Sequence, residues 1–85
     1  MNINQLADIA AKYLKDFFPD ADKIQLEEIE VTDDNKYWNI TLSYESSDVP
    51  MASSGWLISK TRKFKIFKID AKSGEVRSMK IRDMK

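Results

Sequence analysis

A single stretch of helical periodicity at the N-terminus is followed only by strand-like alternation, and this asymmetry is what most restricts the fold. Apolar residues recur at positions 3, 6, 10, 13, 14 and 17. At 100° per residue they occupy about a third of a helix circumference, the width of a core-facing stripe. Asn4, Gln5, Asp8, Lys12, Lys15 and Asp16 fill the opposite side. Asn2 suits the N-cap, because its side chain can accept from an unpaired amide of the first turn. Pro19 disfavours helical geometry at Phe18 and cannot extend the ladder, so the pattern predicts a helix over residues 3–18.

Everything after this helix reads as strand or turn. Residues 24–32 are rich in β-branched side chains, but Ile24 and Leu26 alternate out of phase with Ile29 and Val31, which predicts a bulge near Glu27 and Glu28. After the turn residues Asp33, Asp34 and Asn35 comes the most regular alternation. Over residues 37–45, Trp38, Ile40, Leu42 and Tyr44 form one row and Tyr37, Asn39, Thr41 and Ser43 the other. Residues 46–57 have the serine, proline and glycine content of a long loop. Two further strands are expected at about 58–69 and 76–82, joined by Asp70 to Glu75, where Asp70 can bond its own following backbone and Gly74 accepts a positive φ. Their phases also shift, Phe64 and Ile66 against Phe67 and Ile69, and Val76 against Met79 and Ile81. Bulges in all three strands are the simplest explanation; cover on the second face by the loop, another copy or a target is the alternative.

The expected fold is therefore α+β, one N-terminal amphipathic helix packed on a curved four-stranded antiparallel meander. At 85 residues the chain forms one domain, 1–85, around one core. Cysteine and histidine are both lacking, which removes disulfides, thiolate metal sites and the commonest transition-metal ligand. The opening residues are interrupted by Asp8, Lys12, Lys15 and Asp16, and so have neither the apolar run of a signal peptide nor that of a membrane span. A cytoplasmic location is expected, with a secreted mature form left open.

The helix ending near a proline, the aromatic-bearing strand and the segment FKIDAKSGEVRSMKI together resemble the PepSY-like domains. Their final hairpin commonly places Asp-Ala-x-Thr/Ser-Gly-Glu between two apolar strands, and Ile69, Asp70, Ala71, Ser73, Gly74, Glu75 and Val76 match it. The resemblance implies a cystatin-like helix on a curved sheet and a role in protein binding, often inhibitory and often outside the cytoplasm.

Charge is balanced overall but divided along the chain. Residues 1–55 carry 4 Lys/Arg against 11 Asp/Glu, and residues 56–85 carry 10 against 3. Lys60, Arg62, Lys63, Lys65, Lys68, Arg77, Lys80 and Arg82 define a candidate basic surface for nucleic acid or an acidic protein. The plainer account is a solvated strand face whose lysines block edge-to-edge association. In a meander, Glu27, Glu28 and Glu30 lie on one edge and Arg77, Lys80 and Arg82 on the other. This separation predicts no direct neutralisation between them and offers a route to a homo-oligomer, acidic edge against basic edge. Val49, Pro50, Met51, Trp56 and Leu57 form a candidate protein-binding loop, since a tryptophan anchor contributes strongly when buried in an interface.

No metal or cofactor is implied. The acidic run from Glu28 to Asp34 lacks calcium-loop spacing and reads as a turn beside a solvated strand. Two glycines, at 55 and 74, cannot build a phosphate-cradling loop, and the common nucleophile and base pairs have no members. The leading expectation is a non-catalytic protein-interaction domain that docks through its sheet face or residues 46–58. Its partner is an unknown protein rather than a membrane, with nucleic-acid binding through the third and fourth strands as the alternative.

Overall fold

Asn2 and Gln5 cap the helix reciprocally: the Asn2 side chain accepts from the Gln5 amide at 2.8 Å, and the Gln5 side chain accepts from the Asn2 amide at 2.9 Å. Two amides of the first turn are satisfied in this way. The computed structural model describes residues 2–48 and 59–82. Its elements are α1 (Ile3–Phe17), β1 (Asp22–Val31), β2 (Tyr37–Asp48), β3 (Ser59–Asp70) and β4 (Val76–Ile81). The four strands form one antiparallel sheet in the order β1-β2-β3-β4, with α1 packed on one face. This is the expected α+β architecture.

Several boundaries differ from the sequence reading. The helix stops at Phe17, with Phe18 as its C-cap. β1 begins at Asp22, two residues early, and β4 ends at Ile81, a residue before expected. β2 continues through Ser46, Ser47 and Asp48, which the sequence reading placed in the long loop. They pair with Thr61, Lys60 and Ser59, so an unbroken ladder from Tyr37↔Asp70 to Asp48↔Ser59 overrides the weak local strand preference of serine and aspartate.

Pairing explains most of the phase changes. Leu26 sits opposite Leu42 and Glu28 opposite Thr41, leaving Glu27 as the extra residue of a bulge. Opposed residues share a face, so this bulge puts Leu26, Ile29 and Val31 on the side of Leu42, Ile40 and Trp38. On β4, Lys68 opposes Ser78 and Ile69 opposes Val76, which makes Arg77 the extra residue and puts Val76, Met79 and Ile81 on one face. β3 behaves differently. Its ladder with β2 runs without a register shift, so no bulge there reunites the two apolar pairs. Phe67 and Ile69 face the helix, whereas Phe64 and Ile66 lie on the reverse face beside Ser43 and Thr41.

The core comprises Leu6, Ala10 and Leu14 from α1, Ala21 just before β1, Ile40, Leu42 and Tyr44 from β2, and Phe67 and Ile69 from β3. Each fully buried large side chain contributes roughly 1.5 to 3 kcal/mol. Trp38 is partly buried at the margin. Two expected members of the helical stripe are outside it, Ile3 at 47% exposure and Phe17 at 59%. Their position along the axis exposes them, since they are the first and last residues of α1. The Phe17 ring meets that of Tyr13 at a tilt, 4.9 Å between centres, and Tyr13 in turn meets Phe67 edge-on at 6.2 Å.

The turn between β3 and β4 is held by Asp70, whose carboxylate accepts from the Ser73 amide at 2.9 Å and the Lys72 amide at 2.8 Å, while Gly74 takes a φ of 75°. These bonds, first from Ser73 and then from Lys72, hold the Asp70 carboxyl below the usual aspartate value near 3.8. A depressed carboxylate contributes stability that is present above the unfolded value and is lost as pH falls through the lower folded value. Asp70→Asn keeps one acceptor oxygen but cannot titrate, so the variant is expected to show a flatter loss of stability below the usual aspartate range. Urea midpoints at a series of acidic pH values check this, and parallel curves for both proteins would refute it.

Candidate functional site

With α1 on one face, the reverse face of the sheet displays residues from all four strands, and its centre is polar yet buried. Thr41 and Ser43, in mid-β2, are 1% and 0% exposed although no helix covers them. Arginines do. Arg62 on β3 reaches over β2, donating from Nε to the Ser43 hydroxyl at 3.0 Å and from Nη2 to the Lys23 carbonyl at 2.8 Å. It also lies 3.5 Å from the Glu45 carboxylate. The Ser43 hydroxyl donates to Glu27, so the bulge residue on β1 completes the cover. Lys23 has a φ of 49°, and Arg62 fastens this left-handed residue at the irregular start of β1.

Arg82, just past β4, makes the second strap. Its amide donates to the Phe64 carbonyl at 3.0 Å, and its guanidinium donates to the Thr41 hydroxyl at 2.6 Å and to the Glu28 carboxylate. This corrects the expectation that the acidic and basic edges cannot neutralise each other. Arginine is long enough to cross two strands, each about 4.8 Å apart, and a carboxylate on β1 meets it there. No buried side-chain polar atom among the described residues is left without a hydrogen bond.

The eight candidate basic residues do not form one surface. Arg62, Lys68, Lys80 and Arg82 belong to the reverse face, Lys63 and Lys65 to the helix side, and Arg77 to the β4 irregularity. Lys60 is placed by its backbone, opposite Ser47. Lys65 Nζ lies 5.1 Å from the centre of the Phe18 ring. Arg62 and Arg82 are engaged by Glu45 and Glu28, so their charge is largely compensated. Val49, Pro50, Met51, Trp56 and Leu57, the candidate loop, lie outside the described residues.

At the opposite end of the reverse face the charges are not matched among the described residues. Tyr37, Lys68, Arg77, Ser78 and Lys80 line a shallow cavity of about 330 Å³. Lys68 and Ser78 are directly paired across β3 and β4, and Lys80 follows Ser78 by two residues on the same face. Lys68 Nζ stands 4.5 Å above the Tyr37 ring. Among the described residues, only Arg77 of the three cations pairs with a carboxylate, Glu75 at 2.6 Å, and both members of that pair are more than half exposed. A neighbouring cavity of about 350 Å³ between the two turns mixes signs, with Asp34 and Asp70 beside Lys36 and Lys72. There Asp34 is held below the usual aspartate value, first by the Thr32 hydroxyl and then by the Lys36 amide.

Sequence reasoning missed the arginine straps. Thr41 and Ser43 alternate with the core row as solvent-facing residues would, and only the bulge residue Glu27 signalled a local irregularity beside them. Among the described residues, no three carboxylates come together as metal ligands. No described helix is long and apolar enough to cross a membrane.

This arrangement defines a helix-on-sheet domain of the α+β class, with one sheet face given to the core and the other bearing a charged surface. No family model matches the chain, and neither does any curated protein or solved structure.

Proposed function

We propose that the protein is a small non-catalytic protein-interaction domain of PepSY-like type, docking through the reverse face of its sheet onto a negatively charged segment of a protein partner. The observation that carries this reading is the placement of half-buried Phe64 and Ile66 beside Lys68 and Lys80, which have no carboxylate partner among the described residues, on a face that the helix does not cover. Apolar area supplies affinity, and unpaired cations at one end supply orientation and a preference for acidic surfaces. The two arginine straps support the same role, because a face whose central polar groups are already bonded can be buried without leaving unsatisfied donors. The helix-then-meander order and the Asp70 to Glu75 hairpin are the features shared with PepSY-like domains, whose pattern implies inhibition as the consequence of docking.

Nucleic-acid binding through the third and fourth strands has less support. A backbone track needs a continuous row of free cations, and here two arginines are compensated while two lysines face the helix side.

Site-specific photo-crosslinking tests the reading. A photoreactive residue replacing Ile66 is expected to give a discrete protein adduct in cell extract, competed by excess unmodified protein and lost in Lys68→Glu/Lys80→Glu. The same group replacing Asp8, on the exposed side of α1, is expected to give none. Equal labelling from both positions, or labelling indifferent to the charge reversal, overturns the assignment of the face.

A further inference from the structure

We infer that the cavity lined by Tyr37, Lys68, Arg77, Ser78 and Lys80 is a binding site for a phosphate monoester borne by a protein side chain. The inference rests on the docking reading, naming the chemistry that one end of the face accepts, and it can fail by itself.

Charge is the first reason. Four charged side chains at the strap end of the face are matched as Arg62 with Glu45 and Arg82 with Glu28. At the cavity end, Lys68 and Lys80 have no carboxylate among the described residues, and the pair of Arg77 with Glu75 is exposed to solvent. Solvent screens an exposed pair of this kind, so a better anion can take Arg77 from Glu75 at little cost. The cavity thus concentrates three cations with one weakly held counter-charge.

Donor geometry is the second. Lys68 and Ser78 are cross-strand partners, and the period of two brings Lys80 to the same side. Arg77, the extra residue at the register shift between Val76 and Ser78, lines the same cavity. Two lysines, an arginine and a serine from two strands therefore line one cavity. A phosphate monoester carries a charge of about −1.5 to −2 and three acceptor oxygens at neutral pH, enough for several donors at once. A carboxylate has one charge and two oxygens, and would leave part of this set unused.

The cavity's form is the third. About 330 Å³ exceeds what the phosphate group alone fills, and leaves room for the chain that bears it. The Tyr37 ring holds Lys68 Nζ from below at 4.5 Å, which reduces the rotamer freedom that ligand binding would otherwise have to remove.

Amide NMR titration of the full chain at constant ionic strength tests the inference, with inorganic phosphate, O-phosphoserine and a short neutral peptide containing one phosphoserine as probes, and chloride as the control. Saturable shifts centred on Lys68, Arg77, Ser78 and Lys80 are expected for all three probes. Lys68→Gln/Lys80→Gln, both at exposed positions, is expected to keep the dispersed spectrum and to weaken each probe by about tenfold or more, as loss of charge-assisted bonds requires. Linear shifts, shifts matched by chloride, or unchanged affinity in the double variant would overturn the site. The peptide is expected to bind more tightly than O-phosphoserine; equal affinity overturns the protein-borne assignment and points to a free phosphorylated compound. Failure here leaves the crosslinking result from position 66 intact, so the two readings are separable.

Discussion

Phe67→Ala is expected to cost about 3 to 5 kcal/mol, the range for removing a fully buried aromatic ring and leaving a cavity behind. The ring is 0% exposed, meets Tyr13 edge-on at 6.2 Å and lies in register with Ile40 on one side and Met79 on the other. Stability of roughly 0.05 to 0.15 kcal/mol per residue gives a chain of 85 residues about 4 to 13 kcal/mol in total, so the substitution is expected to consume much of it. Phe64→Ala supplies the contrast. Phe64 is half-buried on the reverse face and outside the core cluster, so its loss is expected to cost roughly 1 kcal/mol, about half the transfer free energy of a buried side chain. Urea unfolding followed by far-ultraviolet circular dichroism measures both. Equal costs would mean that both rings share the core, and would sink the assignment of β3 as a strand with apolar residues on two faces.

Arg62→Met is the second large effect, expected at about 2 kcal/mol, because the guanidinium makes charge-assisted bonds worth roughly 1.5 to 3 kcal/mol. Methionine keeps much of the apolar stem, so the change isolates the head group. Its loss would free the Lys23 carbonyl, leave Glu45 without its arginine and remove one of the two bonds to the buried Ser43 hydroxyl. The damage should be local to the join of β1 and β2. Amide hydrogen exchange at residues 22–26 is therefore expected to accelerate more than exchange near Asp70, where the turn has its own bonds. Pairing Arg62→Met with Ser43→Ala in a double-mutant cycle should give a coupling of about 0.5 kcal/mol or more. Strict additivity, with no change in local exchange, would show that solvent screens the strap as it screens an ordinary surface pair.

The straps also bear on how the reverse face can bind. Without Arg62 and Arg82, the Ser43 hydroxyl would keep its bond to Glu27, but the Thr41 hydroxyl would lose its bond to Arg82 and both would lie open to water that docking would have to remove. Their bonds are already satisfied by the protein, which leaves Phe64, Ile66 and the cation-rich cavity as the parts of the face open to new contacts.

Local chemistry determined much of this molecule. The apolar spacing from Leu6 to Leu14, the reciprocal cap of Asn2 with Gln5 and the stop at Pro19 specify a helix without reference to any partner element. The alternation from Trp38 to Tyr44 specifies a strand with one apolar row, and Asp70 with Gly74 specifies a tight turn, because each depends on backbone geometry within a few residues. The bulge at Glu27 was legible for the same reason, as a slip of phase inside one strand.

Other features required the assembled sheet. Phe64 and Ile66 show the same phase slip as the bulged strands, and only the unbroken β2–β3 ladder decides that they face away from the core. The extension of β2 through Asp48 follows from pairing with β3 and not from its own composition. Burial of Thr41 and Ser43 depends on Arg62 and Arg82, up to 41 positions away in the chain, and no local pattern encodes contacts of that separation. The candidate site has the same origin: Lys68 and Lys80 were visible as charges, but which cations meet carboxylates and which remain unpaired is settled by strand register, a property of the folded chain alone.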